Sequence, residues 1–246
     1  MDREERTSEA VSRRGFLVGV GKLAVGAAVG ASALSVVASQ SAQAAGARAF
    51  TYKPVDPEKV YWNAVEGYYK NACSQGSFDA ITKELGEPFS SIPGAIAKWG
   101  EGGVVGFGSH CGGLIGSSSA ISLAFGHDPA TATKLIKELT QWYMRDLGSG
   151  SPLCHISVTE WSKDNGVTVE SQERKDRCAR LTGEVAKKAV LLMNAQLEGT
   201  FSPAFPGTHP DSDSCISCHG KDGRNDVRNA VAAQDCAPCH DTAHKQ

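Results

Sequence analysis

The C-terminal segment, residues 215–246, is the feature that most restricts how this 246-residue chain can fold. It reads CISCHGKDGRNDVRNAVAAQDCAPCHDTAHKQ and has few large apolar side chains, so it cannot bury a core of its own. Such a segment becomes ordered only around bound apolar mass or against another surface. Its two Cys-x-x-Cys pairs, each followed at once by a histidine, indicate what could be bound.

Two interpretations of these pairs leave the histidines unexplained. The interval between the pairs lies within the range of zinc ribbons, in which four thiolates enclose a structural zinc ion. Two disulfide bonds are the second possibility if the chain is exported to an oxidising compartment. Neither arrangement needs a histidine after each pair, and only 7 of the 246 residues are histidines. The zinc interpretation would make the chain a metal-stabilised interaction module.

Covalently bound haem explains every part of the repeated motif. Two thiols add to the two vinyl groups of one porphyrin, and the adjacent imidazole coordinates the iron from one side. The porphyrins would also supply the apolar surface that the segment lacks. We therefore predict two haem c groups, each with two thioether links and one proximal histidine: Cys215 and Cys218 with His219, and Cys236 and Cys239 with His240.

The second axial position of each iron separates two kinds of function. An open iron binds small molecules and can catalyse, whereas an iron held by two histidines only transfers electrons. Among the other histidines, His209 lies just before the first motif and His244 just after the second, so these two are the candidate distal ligands. With both positions filled, the chain would be an electron carrier and not an enzyme. The alternative is a small multihaem reductase with one open haem, acting on nitrite or a similar small oxidant.

The N-terminus resembles a twin-arginine export signal. Arg13-Arg14 lies within SRRGFL, a weakly apolar Gly/Ala-rich stretch follows, and AQA at 42–44 forms an A-x-A cleavage site. A membrane anchor is the alternative, but the weakly apolar run at 23–38 is shorter than the roughly 20 residues that a spanning helix needs. We expect residues 1–44 to be a signal peptide, with no membrane span after cleavage and a periplasmic mature chain. Because this route exports folded proteins, it also suggests a cofactor that is inserted before export.

The middle of the chain has the pattern of an α-helical domain. Asp56-Pro57 and Asp128-Pro129 each combine an N-cap with a proline at the first helical position, and apolar residues recur at helical spacing after both. Gly76 is the expected end of the first helix. Further helices are expected at four ranges: 77–85, 93–99, 114–125 and 171–197.

Strand signals are nearly absent, and the composition changes after Glu198 to Pro, Gly, Ser and Asp. The predicted fold is therefore mainly α, with a helical domain at 45–200 and a short irregular haem-binding segment at 201–246. The formal net charge of −2 provides no basic field for binding nucleic acid.

Four further cysteines are scattered through the helical domain: Cys73, Cys111, Cys154 and Cys178. They could be small buried side chains or could form two disulfide bonds. Cys111, however, lies in GFGSHCGG at the start of a predicted helix, where free N–H groups and the helix dipole stabilise a thiolate or an anionic cluster. With Cys154 expected in a loop and Cys178 on the longest helix, thiolates from four elements could hold an iron–sulfur cluster.

The cysteine pattern resembles a family of helical redox-active proteins named after the sequence Cys–GCAxxG–Cys–Cys. The likeness rests on Cys73, the stretch GFGSHCGGLIG, Cys154 and Cys178. It departs from the family at three positions, with His110 in place of glycine, Gly112 in place of alanine and Gly116 one residue late. Joined to the two haem motifs and the export signal, the whole pattern resembles the split-Soret cytochromes c.

The resemblance to the split-Soret cytochromes c implies a periplasmic homodimer with two bis-histidine haems in each subunit. The haems would be grouped near the dimer interface, with one distal ligand crossing from the neighbouring subunit. It also implies a non-haem iron–sulfur centre in the helical domain and electron exchange with redox partner proteins.

Overall fold

The computed structural model describes residues 52–148, 150–205, 210–220 and 236. Within these ranges the chain forms α-helices and two short 3-10 helices, and no β-strand. The helices run in the order α1 (Pro57–Leu85), α2 (Gly112–Ala124), α3 (Pro129–Asp146), α4 (Cys154–Asp164), α5 (Gln172–Leu197) and α6 (Pro210–His219). The 3-10 helices, Phe89–Ser91 and Gly94–Gly100, lie between α1 and α2. The prediction of a mainly α fold is confirmed.

Both helix starts that were predicted from an Asp-Pro pair are present. The Asp56 carboxylate accepts a hydrogen bond from the N–H of Glu58 at 2.9 Å, and α1 begins at the following proline. The Asp128 carboxylate accepts from the N–H of Thr131 at 3.1 Å at the start of α3. Ser171 caps α5 in the same way. Each cap satisfies a backbone donor that the first turn of a helix leaves without an intrahelical partner.

The prediction that Gly76 ends the first helix is wrong. The helical conformation is interrupted at Ala72, where φ is 63° and ψ is −179°, and α1 consists of two segments on either side of this break. Gly76 lies in the second segment against Gly67 of the first, and a Cβ on Gly76 would lie 2.7 Å from the Gly67 carbonyl carbon. Gly76 is therefore a close packing contact between the two segments, which a residue with a side chain could not make.

Helices α1 and α5 form the centre of the helical body, and α2 packs against both of them. Helix α3 packs against α2 and α5. The side chains that are completely removed from solvent come from these four helices and include Ile81, Leu114, Ile121, Leu135, Leu139 and Val185. Because burying one such side chain contributes about 1.5–3 kcal/mol, this core holds the four helices in fixed relative positions.

Two further expectations differ from the structure. Cys154, which was expected in a loop, is the first residue of α4. Leu153, the N-cap residue of that helix, makes no side-chain cap bond, so the usual sequence signal for a helix start is missing. In the C-terminal segment, which was expected to be irregular, residues 210–219 form α6, and the proline at its first position suits a helix start.

The chain that follows α5 is held against the helical body by a buried carboxylate. Glu138 is 3% exposed and accepts hydrogen bonds from the N–H groups of Ala204 at 3.1 Å and Phe205 at 3.0 Å. The Arg145 guanidinium lies 4.5 Å from the centre of the Phe205 ring. Because hydrogen bonds to a carboxylate are stronger than those between neutral groups, the chain leaves the helical body at a fixed point.

Among the described residues, no helix combines the length and the apolar character that crossing a membrane requires. The predicted signal peptide, residues 1–44, lies outside the described part of the chain. The division into a helical domain at 45–200 and a haem segment at 201–246 stays a prediction.

We predict that Ala72→Gly stabilises the protein. The backbone conformation at Ala72 is one that essentially only glycine adopts easily, and it costs about 1–3 kcal/mol for a residue with a Cβ. The greater freedom of glycine in the unfolded chain offsets about 0.5–1 kcal/mol of this gain. A net gain of about 1 kcal/mol should raise the thermal midpoint by about 2–4 °C in calorimetry.

The matched control for this prediction is Ala186→Gly, at a buried and regular position of α5. It should lower the thermal midpoint, because glycine there gains nothing and loses helix propensity and packing. An unchanged or lower midpoint for Ala72→Gly would contradict the assignment of strain to this position.

Candidate metal centre

The four scattered cysteines line one cavity of about 110 Å³. Each comes from a different element: Cys73 follows the break in α1, Cys111 is the N-cap residue of α2, Cys154 opens α4, and Cys178 lies on α5. The remaining lining includes Tyr68, Gly102, Tyr143, Ser157, Arg174, Arg177 and Leu181. The fold thus brings together all four residues that the sequence predicts as cluster ligands.

Backbone hydrogen bonds place two of these cysteines side by side. The Cys111 N–H donates to the Pro152 carbonyl oxygen at 2.8 Å, and the Cys154 N–H donates to the Ser109 carbonyl oxygen at 2.6 Å. Both bonds belong to a short antiparallel pairing of the chain before α2 with the chain at the start of α4. The relative position of Cys111 and Cys154 is therefore set by the backbone and needs no bond between their sulfurs.

The lack of a side chain at Gly112 lets Cys73 approach the N-terminus of α2. A Cβ on Gly112 would overlap the Cys73 Sγ atom and would lie 2.7 Å from the Gly100 carbonyl oxygen. Cys73 itself is the first residue after the break at Ala72. An interruption of one helix and a glycine at the start of another therefore bring this thiol to the cavity.

The loop between the second 3-10 helix and α2 is strained where it borders the cavity. Val104 and Val105 have φ values of 66° and 43°, which are rare for β-branched residues. Gly102 of the same loop lines the cavity. Backbone strain of this kind persists only where the surrounding structure holds it, and it is concentrated at functional sites.

Burial raises the pKa of three of the four thiols. Burial, assisted by repulsion from neighbouring sulfur charges, raises the pKa of Cys73 to about 11 and that of Cys154 to about 12. Burial also raises the pKa of Cys111, although hydrogen bonds from the Tyr143 hydroxyl and from N–H groups at the start of α2 oppose this effect. In neutral solution these thiols carry protons, which a metal centre must displace in order to bind.

A chain of hydrogen bonds connects the Cys111 sulfur to a guanidinium group. Tyr143, which has no exposed surface, is hydrogen-bonded to Cys111, and its hydroxyl lies 3.2 Å from the Ser157 hydroxyl. Arg177 donates to the Ser157 hydroxyl at 2.7 Å. A second guanidinium, on Arg174, is hydrogen-bonded to Cys178. Donors directed at ligand sulfurs stabilise the more negative, reduced state of a metal centre.

Sequence reasoning did not identify Tyr143, Ser157, Arg174 or Arg177 as site residues. Tyr143 has the spacing of a core residue on α3, and it is indeed buried. The arginines lie on the polar first half of α5, where charged side chains usually face solvent. Only the packing of α3, α4 and α5 around the cavity reveals these four residues.

Cysteine sulfurs and hydrogen-bond donors make this cavity a candidate metal centre. The four sulfurs surround it, with helix N–H groups and two guanidinium groups beside it. Cysteine thiolates are the usual protein ligands of iron–sulfur clusters.

The residues of the first haem motif lie on α6. Cys215 and Cys218 are three positions apart on this helix, so they share one face, as two thioether links to one porphyrin require. His219 follows as the last residue of α6. Of the second motif, only Cys236 belongs to the described residues. Four predicted haem residues lie outside them: His209, Cys239, His240 and His244.

These features define a class of protein, namely helical redox-active proteins with a cavity surrounded by cysteines. Residues 71–192 match the family model of redox-active proteins of the C_GCAxxG_C_C type. The chain is 33% identical, over 267 aligned residues, to the split-Soret cytochrome c of Desulfovibrio desulfuricans (strain ATCC 27774), and the alignment covers 94% of each chain.

A solved structure gives the same relationship. It is that of the split-Soret cytochrome c from D. desulfuricans ATCC 27774, described as containing a novel iron centre. The two structures superpose with a TM-score of 0.68 at 29% identity, over 80% of this chain and 92% of the other. The chain belongs to the split-Soret cytochrome c family, which confirms the resemblance predicted from the cysteine pattern.

We predict that iron-depleted protein loses stability as the pH rises above about 9. The ordinary pKa of a cysteine thiol is 9.0, and in the folded protein those of Cys73 and Cys154 are about 11 and about 12. A pKa that is raised on folding contributes stability that is complete below the unfolded value. This contribution is lost as the pH rises through the folded values. The thermal midpoint should therefore fall between about pH 9 and pH 12.

The control for this pH dependence is the double variant Cys73→Ser/Cys154→Ser, which lacks both titrating thiols. Its thermal midpoint should fall less steeply over the same pH range, since Cys111 is then the one remaining thiol of the three whose pKa is raised by burial. Equal slopes for the two proteins would show that the thiols do not cause the loss of stability.

Proposed function

We propose that this protein is a periplasmic electron carrier with two covalently bound haem c groups and one iron–sulfur cluster. The observation that carries the proposal is the convergence of four cysteines from separate elements on one cavity, in a chain that repeats the Cys-x-x-Cys-His motif. Such a protein accepts and releases single electrons and makes or breaks no bond in a substrate, so we propose that it is not an enzyme.

The iron–sulfur cluster would be held by four thiolates: Cys73, Cys111, Cys154 and Cys178. When bound, it supplies a one-electron couple inside the helical domain. Tyr143 would orient the Cys111 sulfur by a hydrogen bond, and Arg174 would do the same for Cys178. The free N–H groups at the start of α2 favour the negative charge that a thiolate-bound cluster carries. Cys111 is buried and the other three cysteines are half-buried, which limits access of water to the site.

The two haems would be attached to the C-terminal segment through Cys215 and Cys218 and through Cys236 and Cys239. His219 and His240 would be the proximal ligands, and His209 and His244 the candidate distal ligands. Each haem, when bound, supplies a ferric–ferrous couple. The placement of Cys215 and Cys218 on one face of α6 supports the first attachment. The name of the related D. desulfuricans protein, a cytochrome c, supports haem c in this chain.

We further propose a homodimer in which the haems lie near the interface and one axial histidine crosses from the neighbouring subunit. The support for this is the composition of residues 215–246, which have few apolar side chains to cover a porphyrin. Packing of porphyrin faces about a two-fold axis would bury that surface. Redox partner proteins would then exchange electrons with haem edges that remain exposed.

Export by the twin-arginine route is the proposed role of residues 1–44. The four cluster ligands come from four separate elements, so they form a site only after the helical domain has folded. A protein that must fold around its cluster in the cytoplasm needs an export route for folded proteins. The twin arginine at 13–14 fits this requirement.

We predict that Cys111→Ser lowers the iron content without removing haem. Loss of one of four thiolates should weaken cluster retention, whereas thioether-linked haem stays attached. Iron is counted by elemental analysis of protein matured in a host that attaches haem c, and haem by its optical spectrum. The wild-type protein should contain more than two irons per chain. Thr133→Ala, at an exposed position of α3, is the control and should retain all the iron. Unchanged iron in Cys111→Ser would refute the ligand role of this residue.

We predict that the reduced wild-type protein binds no carbon monoxide. Two histidine ligands on each iron leave no coordination position for an added ligand. Carbon monoxide is added to dithionite-reduced protein, and the haem absorption bands are compared before and after. Binding in the wild type would instead favour the alternative function, a reductase with one open haem for nitrite or a similar oxidant.

A further inference from the structure

The cavity surrounded by the four cysteines has two positive charges in its wall and no negative one. Among its described lining residues, Arg174 and Arg177 are the only side chains with a fixed charge, and no carboxylate is present. An arginine side chain keeps its positive charge at every pH at which a protein is folded. The N–H groups at the start of α2, which point at Cys111, add positive partial charge. The wall of the cavity therefore favours a negatively charged occupant.

Both guanidinium groups have neutral hydrogen-bond partners. Arg174 lies 3.4 Å from the Tyr68 hydroxyl, and Arg177 donates to the Leu147 carbonyl oxygen at 3.2 Å and to the Ser157 hydroxyl at 2.7 Å. Across the part of the chain that the structure describes, neither group forms an ion pair with a carboxylate, although six lysines do. Both side chains are half-buried. A partly buried cation without a counter-ion is unfavourable, so these two charges indicate an anion that belongs between them.

The two guanidinium groups are connected to sulfurs of the cavity by different paths. Arg174 is hydrogen-bonded to Cys178 directly. The other path passes through two hydroxyl groups to a second sulfur, in the order Arg177, Ser157, Tyr143 and Cys111. Each positive charge therefore acts on a different cysteine, one on α5 and one at the start of α2. Positive charge beside a sulfur ligand stabilises the more negative state of a metal centre.

We propose that Arg174 and Arg177 are the counter-charges of the iron–sulfur cluster and that they raise its reduction potential. The inference rests on the proposed function, which assigns a cluster with four thiolate ligands to this cavity. Such a cluster carries net negative charge, and the transfer of one electron from a reduced partner protein adds a further negative charge to the cavity. The two fixed positive charges stabilise the reduced state more than the oxidised state, so the reduction potential rises.

The same two charges also favour retention of the centre. With protonated thiols, the two guanidinium charges in the wall of the cavity have no negative charge to oppose them among its described residues. An anionic cluster removes this imbalance, so its binding gains free energy that a neutral wall could not supply. Loss of either arginine should therefore weaken the hold of the protein on its non-haem iron, although neither arginine is a metal ligand.

The test measures the reduction potential of the non-haem centre in the full-length protein loaded with haem and iron. The potential is read by a redox titration followed by electron paramagnetic resonance. Arg177→Gln and Arg174→Gln should each raise the ratio of oxidised to reduced centre at a fixed potential about tenfold, a shift of about 59 mV for a one-electron couple. Arg177→Lys keeps the charge and should restore most of the wild-type potential. Both glutamine variants should also lose non-haem iron to a chelator several-fold faster than the wild type.

Two further variants serve as controls. Arg180→Gln removes an exposed arginine of the same helix that does not line the cavity, and it should titrate like the wild type. Ser157→Ala removes the hydroxyl between Arg177 and Tyr143 but keeps the guanidinium. It should lower the potential less than Arg177→Gln does, because the charge remains. The haem potentials, followed by absorbance in the same titration, should stay unchanged in every variant.

The outcomes separate the inference from the proposed function. If the wild type contains non-haem iron but both glutamine variants titrate at its potential, the arginines are not counter-charges, while the proposed cluster stands. An equal shift in Arg180→Gln overturns the inference as well, since any surface charge would then have the same effect. If Arg177→Gln does not fold, the potential of Arg174→Gln decides, because its contact with the site is independent. A wild-type protein without iron beyond its haem iron overturns the proposed cluster and this inference with it.

Discussion

The antiparallel pairing of residues 108–111 with residues 152–155 is the constraint on which the rest of the site depends. It involves only a few backbone hydrogen bonds, yet it joins the start of α2 to the start of α4 and sets Cys111 beside Cys154. The extended backbone at this point also sends neighbouring side chains to opposite sides. Cys111 lines the cavity, and His110 lines an open apolar groove beside α2. Without this pairing, the two helices would present their cysteines independently.

The core of the helical body maintains a site that is unfavourable by itself. Ala72, Val104 and Val105 hold backbone conformations that non-glycine residues rarely adopt, each at a cost of about 1–3 kcal/mol. The apolar packing of α1, α2, α3 and α5 offsets these local costs. A metal centre bound in the cavity would have to displace the thiol protons, so its binding would depend on pH and would be coupled to folding.

Much of the fold could be predicted because its signals are local. The Asp-Pro pairs located the starts of α1 and α3, and both ends of α5 were predicted to within one residue. The break at Ala72 and the start of α4 could not be predicted, since both depend on close packing between distant segments and not on capping residues. The candidate ligands of the site could be identified from the cysteine and histidine motifs. Tyr143 and Arg177 act through hydrogen bonds that only the tertiary structure creates.

The buried Glu138 carboxylate limits the distance that Cys215 can lie from the helical body. Because it holds Phe205 on the helical body, only nine residues lie between that anchor and Cys215. Even a fully extended tether of this length reaches no more than about 35 Å. A group attached to Cys215 would therefore meet its own helical domain at an effective concentration on the order of millimolar, however dilute the protein is. Contact between that group and the helical domain would then not depend on encounters between separate molecules.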